Sequence, residues 1–172
     1  AVTANNDPGA DYATYQKSII LGIQGKHNEK LALLKQLGNK FPSSNFGNDA
    51  DFEIANTYLS SEKYTEAIPY LENVLKKQPN GPNAPRALLK LGLCYFNKDN
   101  DSKALSYYRQ VVEKYPNSAE AGEALASIKD IYISQGKTDD YVALLKASGR
   151  TVTASAADSL AYAAAGAKVT SN

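Results

Sequence analysis

Residues 91–116 read LGLCYFNKDNDSKALSYYRQVVEKYP and contain two apolar blocks separated by a short polar stretch. Apolar residues fall at helical spacing up to Tyr95, and the same spacing resumes at Ala104. The polar residues 98–101 lie between the two blocks. Tyr115–Pro116 ends the second block, because proline cannot donate the next backbone hydrogen bond and disfavours a helical residue before it. The stretch therefore predicts two helices joined by a tight turn, which is a helical hairpin.

The same pattern recurs along the chain with a period of 37 residues, the spacing of Pro42, Pro79 and Pro116. Three further series keep this step. They are Leu21, Tyr58, Tyr95 and Tyr132; Ser18, Ala55, Gly92, Lys129 and Gly166; and Leu34, Leu71, Tyr108 and Leu145. A fixed period of roughly 20 to 50 residues is typical of arrays of stacked supersecondary units. The 172 residues correspond to about 4.6 periods.

The period divides the chain into a short tail, four units and a remainder. The predicted segments are 1–8, an N-terminal tail; 9–43, a first unit that departs from the pattern; 44–80, 81–117 and 118–153, the second, third and fourth units; and 154–172, an Ala-rich helix. That last helix is either a cap or the first half of a cut fifth unit. Glycine in the predicted turns 25–28 and 135–138 suits the left-handed residue that closes a helix. Asp7 and Ser118 read as helix starts, and Pro69 predicts a mild kink without a break.

The outer units depart from the central ones. Lys17 stands where the second unit has Ile54, and Lys30 stands where it has Ala67, so the packing signal of the first unit is weak. The fourth unit has Tyr141 at the same alanine position. Terminal repeats are commonly atypical, because one of their faces meets water.

The central units resemble the tetratricopeptide repeat (TPR) family. The residues that carry the resemblance are Ile54, Ala55, Tyr58, Tyr64, Ala67, Leu71 and Pro79 in the second unit, and Leu91, Gly92, Tyr95, Ala104, Tyr108 and Pro116 in the third. The resemblance covers residues 10 to 168. It implies an all-α fold, a right-handed α-solenoid of about four TPR hairpins plus one C-terminal helix, with a concave face lined by the first helix of each pair. Partners of the family bind that face as extended peptides or as helices.

The 37-residue step is longer than the usual period of about 34. Together with the stretch Tyr115-Pro116-Asn117-Ser118 and its Ala-rich continuation, it resembles the bacterial cell-envelope branch. That branch includes a periplasmic protein of the Tol-Pal system and a lipoprotein of the outer-membrane barrel-assembly machinery. The resemblance implies a periplasmic or cell-envelope location in a bacterium. The chain begins at Ala1 and not at Met, so we expect that a leader or a larger parent has been removed.

The helical faces opposite the packed positions predict the partner-binding surface. The predicted residues are Phe52, Asn56, Leu59, Arg86, Leu89, Leu93, Phe96, Asn97, Asp130 and Ile133. Burial against the next helix is the alternative for Leu89, Leu93 and Phe96, because apolar helix positions are most often core. Some family members grip a C-terminal carboxylate with Lys and Asn on their first helices. The corresponding places here hold Tyr15 and Ile19, which disfavours that clamp.

Composition argues against several other functions. The net charge of +1, from 19 Lys and Arg against 18 Asp and Glu, disfavours nucleic acid as a partner. No apolar run approaches the roughly 20 residues of a membrane span. His27 lies in a predicted turn with no second ligand nearby, so no metal site is predicted. Cys94 reads as a packed thiol, and the acidic groups 99–101 and 139–140 read as helix caps.

The sequence therefore predicts a non-catalytic scaffold for protein–protein interaction, without cofactor or metal, that holds a partner peptide or helix in the concave groove. Two alternatives stay open. The chain is an internal segment of a longer TPR protein that serves stacking or self-association through its terminal repeats, or it is an appendage to a catalytic domain outside this sequence.

Overall fold

A computed structural model describes residues 9–41 and 44–149, which form eight helices and no strand. The helices are α1 (Ala10–Ile23), α2 (His27–Lys40), α3 (Phe46–Leu59), α4 (Tyr64–Lys77), α5 (Ala84–Phe96), α6 (Asp101–Lys114), α7 (Ala119–Ser134) and α8 (Thr138–Ala147). The predicted all-α fold is confirmed. The tail 1–8 with Asp7, the residues 42–43, and the predicted segment 154–172 lie outside the described residues. Helix α4 continues through Pro69 without a break, as predicted.

The chain divides into two compact units, residues 1–87 and residues 88–172. In the first unit α1 packs on α2 and α3, α2 on α3, and α3 on α4. One cluster of its core joins four buried residues of α2 and α3, namely Leu34, Leu37, Ala50 and Ile54. Aromatic and apolar side chains surround this core. They are Tyr15, Leu31, Phe41, Phe46, Tyr58 and Tyr70.

In the second unit α6 packs on α7, and α7 packs on α8. Its buried residues include Tyr108 and Val111 of α6 and Ala124 and Ile128 of α7. Gly92 provides the space for the Tyr108 ring, because a Cβ built at Gly92 would lie 2.3 Å from Tyr108 Cε1. The small residue at this position of the repeat therefore has a direct steric reason.

The four hairpin turns close in the same way, with one left-handed residue at the same place in each period. The residues are Gly25 (φ 73°), Glu62 (φ 55°), Asp99 (φ 54°) and Gly136 (φ 66°). The next residue donates its backbone N–H five residues back, as in Lys26 to Leu21 (2.9 Å) and Lys137 to Tyr132 (2.8 Å). These bonds define the Schellman motif. The predicted role of the two glycines is confirmed. The predicted turn at 25–28 was too long, because α2 already begins at His27.

The helices differ in whether a side chain caps their first turn. In the second unit the Ser118 hydroxyl accepts a hydrogen bond from the Ala121 N–H at 3.2 Å, and Asn100 Oδ1 accepts from the Lys103 N–H at 3.1 Å. The predicted helix start at Ser118 is confirmed. Lysine occupies the N-cap position of α2 and α4, and neither lysine side chain caps its helix.

Candidate functional site

Helix α3 carries three of the predicted partner-binding residues on one face, at spacings of four and three. Asn56 and Leu59 are half-buried. Phe52 is only 8% exposed, so its ring belongs to the packed interior and offers a partner little surface. The prediction for Phe52 thus needs correction. Spacing shows that a residue lies on a given helical face, but it does not show how far the neighbouring helices cover that face.

Helix α5 carries the largest apolar part of the predicted surface. Leu93 is 41% exposed and Phe96 is 45% exposed. The alternative for these two residues, burial against the next helix, is therefore wrong. Leu89 lies one turn before Leu93 and is half-buried. Asn97 is exposed and donates from Nδ2 to the Leu93 carbonyl at 2.9 Å. Arg86 is exposed in the first turn of the same helix.

Helix α7 carries the remaining two predicted residues. Asp130 is exposed, and Ile133 lies one turn later and is half-buried. The α3 residues belong to the first unit, whereas Leu89, Leu93, Phe96, Asn97 and both α7 residues belong to the second. Whether these residues contact a partner stays a prediction.

The first unit also contains a cavity of about 340 Å³ between α1, the start of α2, and α3. Its lining residues are Ile19, Gly22, Ile23, His27, Lys30, Glu53, Asn56, Thr57 and Ser60. Asn56 is the predicted partner-binding residue among them. The other lining residues were not predicted to bind a partner, although those of α1 and those of α3 each follow helical spacing.

An ion pair lies within this cavity. Lys30 Nζ donates to Glu53 Oε2 at 2.6 Å, and the two side chains are 11% and 24% exposed. Lys30 weakens the packing signal of the sequence, yet its side chain is packed in the structure, since a Cβ built at Gly22 would be 3.1 Å from Lys30 Cδ. A lysine at a position that is alanine in the two central units, with a glutamate 23 residues later, is the signal that could have predicted the pair.

Asn56 and its neighbours supply the other polar atoms. Asn56 Nδ2 lies 3.4 Å from Glu53 Oε1, while Asn56 Oδ1 is buried and accepts no hydrogen bond from the described residues. The Thr57 hydroxyl donates to the Glu53 carbonyl at 2.8 Å, and the Ser60 hydroxyl donates to the Thr57 carbonyl at 2.9 Å. Buried polar atoms normally have a hydrogen-bond partner, so the free Asn56 oxygen marks an unfilled acceptor position.

The edge of the cavity is apolar. Ile23, the last residue of α1, is 82% exposed. Ile20 is 53% exposed and Tyr12 is 51% exposed on the same side of this helix. Isolated exposed apolar residues are ordinary on protein surfaces, but three on one helix face form a patch of the kind that marks an interaction surface.

One cysteine and one histidine lie within the described residues. Burial raises the pKa of the Cys94 thiol to about 11, so the thiol stays protonated at neutral pH and is a poor nucleophile. His27 is exposed at the start of α2. No group of three or more His, Cys, Asp or Glu residues in 9–41 and 44–149 could hold a metal ion.

No helix in the described part of the chain has the length and apolar character that crossing a bilayer requires.

Comparisons with known proteins agree with this architecture. The fold is that of an all-α helical-repeat protein. Residues 52–119 match the family model of the tetratricopeptide repeat, so this central stretch is assigned to that repeat. Repeats of this family generally mediate protein–protein interaction and typically serve as non-catalytic scaffolds. A search of curated proteins finds no match.

Two solved structures are similar in fold. MamA, residues 41 to the end, from Desulfovibrio magneticus RS-1 has a TM-score of 0.64 and 18% identity, over 84% of this chain and 77% of that one. The TPR-like repeats of a putative kinesin light chain from Podosopora anserina have a TM-score of 0.65 and 16% identity, over 97% of this chain and 90% of that one. At such identities the likeness shows the fold and nothing further.

Proposed function

We propose that this protein is a non-catalytic scaffold that binds a partner peptide or helix through the first helices of its hairpins. The observation that carries the proposal is the exposure of Leu93 and Phe96, 41% and 45%, on one face of α5. Exposing two large apolar side chains one turn apart is unfavourable in water unless another surface covers them. The assignment of residues 52–119 to a repeat that generally binds proteins supports the same function.

The location we propose is the bacterial periplasm or cell envelope. Its support is the 37-residue step and the stretch 115–118, which resemble the cell-envelope branch of the family. Cell fractionation of the host organism, with an antibody against this chain, tests the location. Recovery of the protein in the cytoplasmic fraction would contradict it.

A second candidate function is self-association, which the exposed patch of Tyr12, Ile20 and Ile23 on α1 favours. Sedimentation velocity over a range of protein concentrations tests it. A concentration-dependent shift to a larger species that Ile20→Ser/Ile23→Ser abolishes would support self-association. A single monomeric species at all concentrations would exclude it.

The partner-binding role can be tested with peptides selected from a random display library against the whole chain. Each selected peptide is labelled and titrated by fluorescence anisotropy. We expect Leu93→Ser/Phe96→Ser to weaken binding by about tenfold or more, since truncated interface anchors typically cost about 2 kcal/mol. The matched control is Ser102→Ala/Ser106→Ala, which changes two exposed residues of α6. Equal affinities for the two double variants would remove the α5 face from consideration.

A further inference from the structure

The polar side-chain atoms that α3 contributes to the α1–α3 cavity are acceptors, apart from the Asn56 amide nitrogen. The hydroxyl hydrogens of Thr57 and Ser60 are already donated to backbone carbonyls, which leaves only oxygen lone pairs. Asn56 Oδ1 has no donor among the described residues. Glu53 Oε1 is a carboxylate oxygen whose nearest donor, Asn56 Nδ2, is 3.4 Å away, longer than an ordinary hydrogen bond. A group that enters beside these oxygens is therefore favoured if it donates hydrogen bonds.

The ion pair leaves this acceptor excess in place. Lys30 Nζ donates to the other carboxylate oxygen, Glu53 Oε2, and offsets the charge. The Glu53 side chain is 24% exposed and the Lys30 side chain 11% exposed, so the cavity presents the carboxylate more than the ammonium. The nearby His27 lies at the cavity edge and is exposed.

The repeat does not need this ion pair for its own packing. Ala67 and Ala104 occupy the position of Lys30 in the central units, and Lys90 and Ser127 occupy that of Glu53 in the third and fourth units. Replacing a mostly buried ion pair by apolar residues is often neutral or stabilising, because two charges must be desolvated to form it. A pair found once, at the edge of a cavity, is thus better explained by a ligand than by stability.

The walls of the cavity match a long side chain with an apolar stem. Ile19 and Ile23 of α1 line one side, and the methylene stem of Lys30 packs close to Gly22 between them. Arginine combines three methylene groups with a planar head of five N–H donors. Lysine offers three donors from a single atom and is held less specifically by separated acceptors.

We propose that the α1–α3 cavity binds an arginine side chain of a peptide partner. The guanidinium donates to Glu53 Oε1 and, after a small rotation of the amide, to Asn56 Oδ1. The methylene stem lies against Ile19 and Ile23. This inference rests on the proposed function, since it names one side chain of the peptide that the scaffold holds.

The test compares two model peptides in titrations followed by ¹⁵N–¹H NMR. One is acetyl-Ala-Leu-Arg-Leu-Ala-amide, and the other has citrulline, a neutral analogue of the same shape, in place of arginine. We expect saturable shifts at the amides of Ile19, Ile23 and Asn56, with the arginine peptide bound about tenfold more tightly, because only arginine brings a charged donor to the Glu53 carboxylate. Equal affinity for both peptides, or shifts away from these residues, would overturn the assignment.

Two variants complete the test. Glu53→Gln should lose the preference for arginine, but it leaves Lys30 unpaired and is destabilised. The second variant, Lys30→Ala/Glu53→Ser, installs residues that the other units carry at these positions, and we expect it to fold and to lose the preference as well. Retained preference in the folded double variant would overturn the proposal. Ser102→Ala/Ser106→Ala should bind the arginine peptide unchanged. The α5 titration changes Leu93 and Phe96 and not the cavity residues. The arginine proposal and the proposed function can therefore fail independently of each other.

Discussion

The junction of α2 with α3 in the first unit and the junction of α6 with α7 in the second unit are built on the same positions, 74 residues apart. The first uses Leu34, Leu37, Ala50 and Ile54, and the second uses Tyr108, Val111, Ala124 and Ile128. All eight are at most 2% exposed. At two of the four positions the residue types differ between the units, Leu34 against Tyr108 and Leu37 against Val111, yet every position stays buried. The repeat therefore preserves the packing position and lets the size of the side chain vary.

The change in size is compensated close by. Where the second unit has Tyr108 it also has Gly92, and at the same two positions the first unit has Leu34 and Ser18. Ser18 is fully buried, whereas Gly92 cannot carry a Cβ without meeting the tyrosine ring. The larger side chain, Tyr108, thus lies against the smaller residue, Gly92.

The edges of the two junctions are also alike. Lys35 Nζ donates to the Tyr58 hydroxyl at 3.1 Å, and this bond raises the pKa of the Lys35 ammonium. Arg109 donates to the Tyr132 hydroxyl at the equivalent place. The main difference is the Lys30–Glu53 ion pair, since the second unit has Ala104 and Ser127 there. The four predictions that follow alter these shared and differing positions.

The largest effect is expected from Gly92→Ala. The added methyl group would lie 2.3 Å from the Tyr108 ring, so the core must shift, and we expect a loss of about 3 kcal/mol in unfolding free energy. Urea denaturation followed by circular dichroism measures it. Gly92→Ala/Tyr108→Leu reproduces the alanine–leucine pair of Ala55 and Leu71 and should recover most of the loss. Failure of the second substitution to rescue the first would contradict the size compensation.

Next in size is Glu53→Gln, which leaves the Lys30 ammonium without its carboxylate. We expect a loss of about 2 kcal/mol, below the usual cost of breaking a fully buried pair because Glu53 remains 24% exposed. Lys30→Ala/Glu53→Ser should be within about 1 kcal/mol of the parent chain, since both charges are removed together. Thermal melts of the parent chain, the single variant and the double variant measure these differences in stability. A double variant as unstable as the single one would mean that the ion pair itself holds the junction.

The helix start at Ser118 gives a smaller effect. Ser118→Ala removes the side-chain acceptor for the Ala121 N–H and should cost about 1 kcal/mol. Asn45→Ala is the matched control, because Asn45 occupies the N-cap position of α3 without capping it through its side chain. Comparable losses in chemical denaturation for both variants would show that the observed cap contributes nothing specific.

The smallest effect is a gain. Lys63 lies one period before Asn100 in the sequence. Asn100 caps α6 through its side chain, whereas Lys63 does not cap α4. We expect Lys63→Asn to stabilise the chain by about 0.5 kcal/mol. The midpoint of urea unfolding should rise slightly, and Lys63→Ala should not raise it. A lowered midpoint for the asparagine variant would show that the two helix starts are not equivalent.

Much of the fold could be predicted from spacing in the sequence, because stacked hairpins require small and apolar residues at fixed intervals. Ala67 and Ala104, two of the residues that carry the family resemblance, are fully buried. The site was less predictable. The ion pair joins Lys30 to a residue 23 positions away, which helical periodicity cannot detect. Periodicity also left Leu93 and Phe96 undecided between core and surface, since only the neighbouring helices determine exposure.

The left-handed turn residues have a consequence for the order in which the hairpins form. Gly25 and Gly136 adopt their positive φ at no steric cost, whereas Glu62 and Asp99 do so at about 1 kcal/mol each. In the unfolded chain the glycine turns therefore visit the closed conformation more often. We expect the first and last hairpins to close early by local preference. The two central hairpins, α3–α4 and α5–α6, would close later, when packing between the two helices of each hairpin offsets the strained turn.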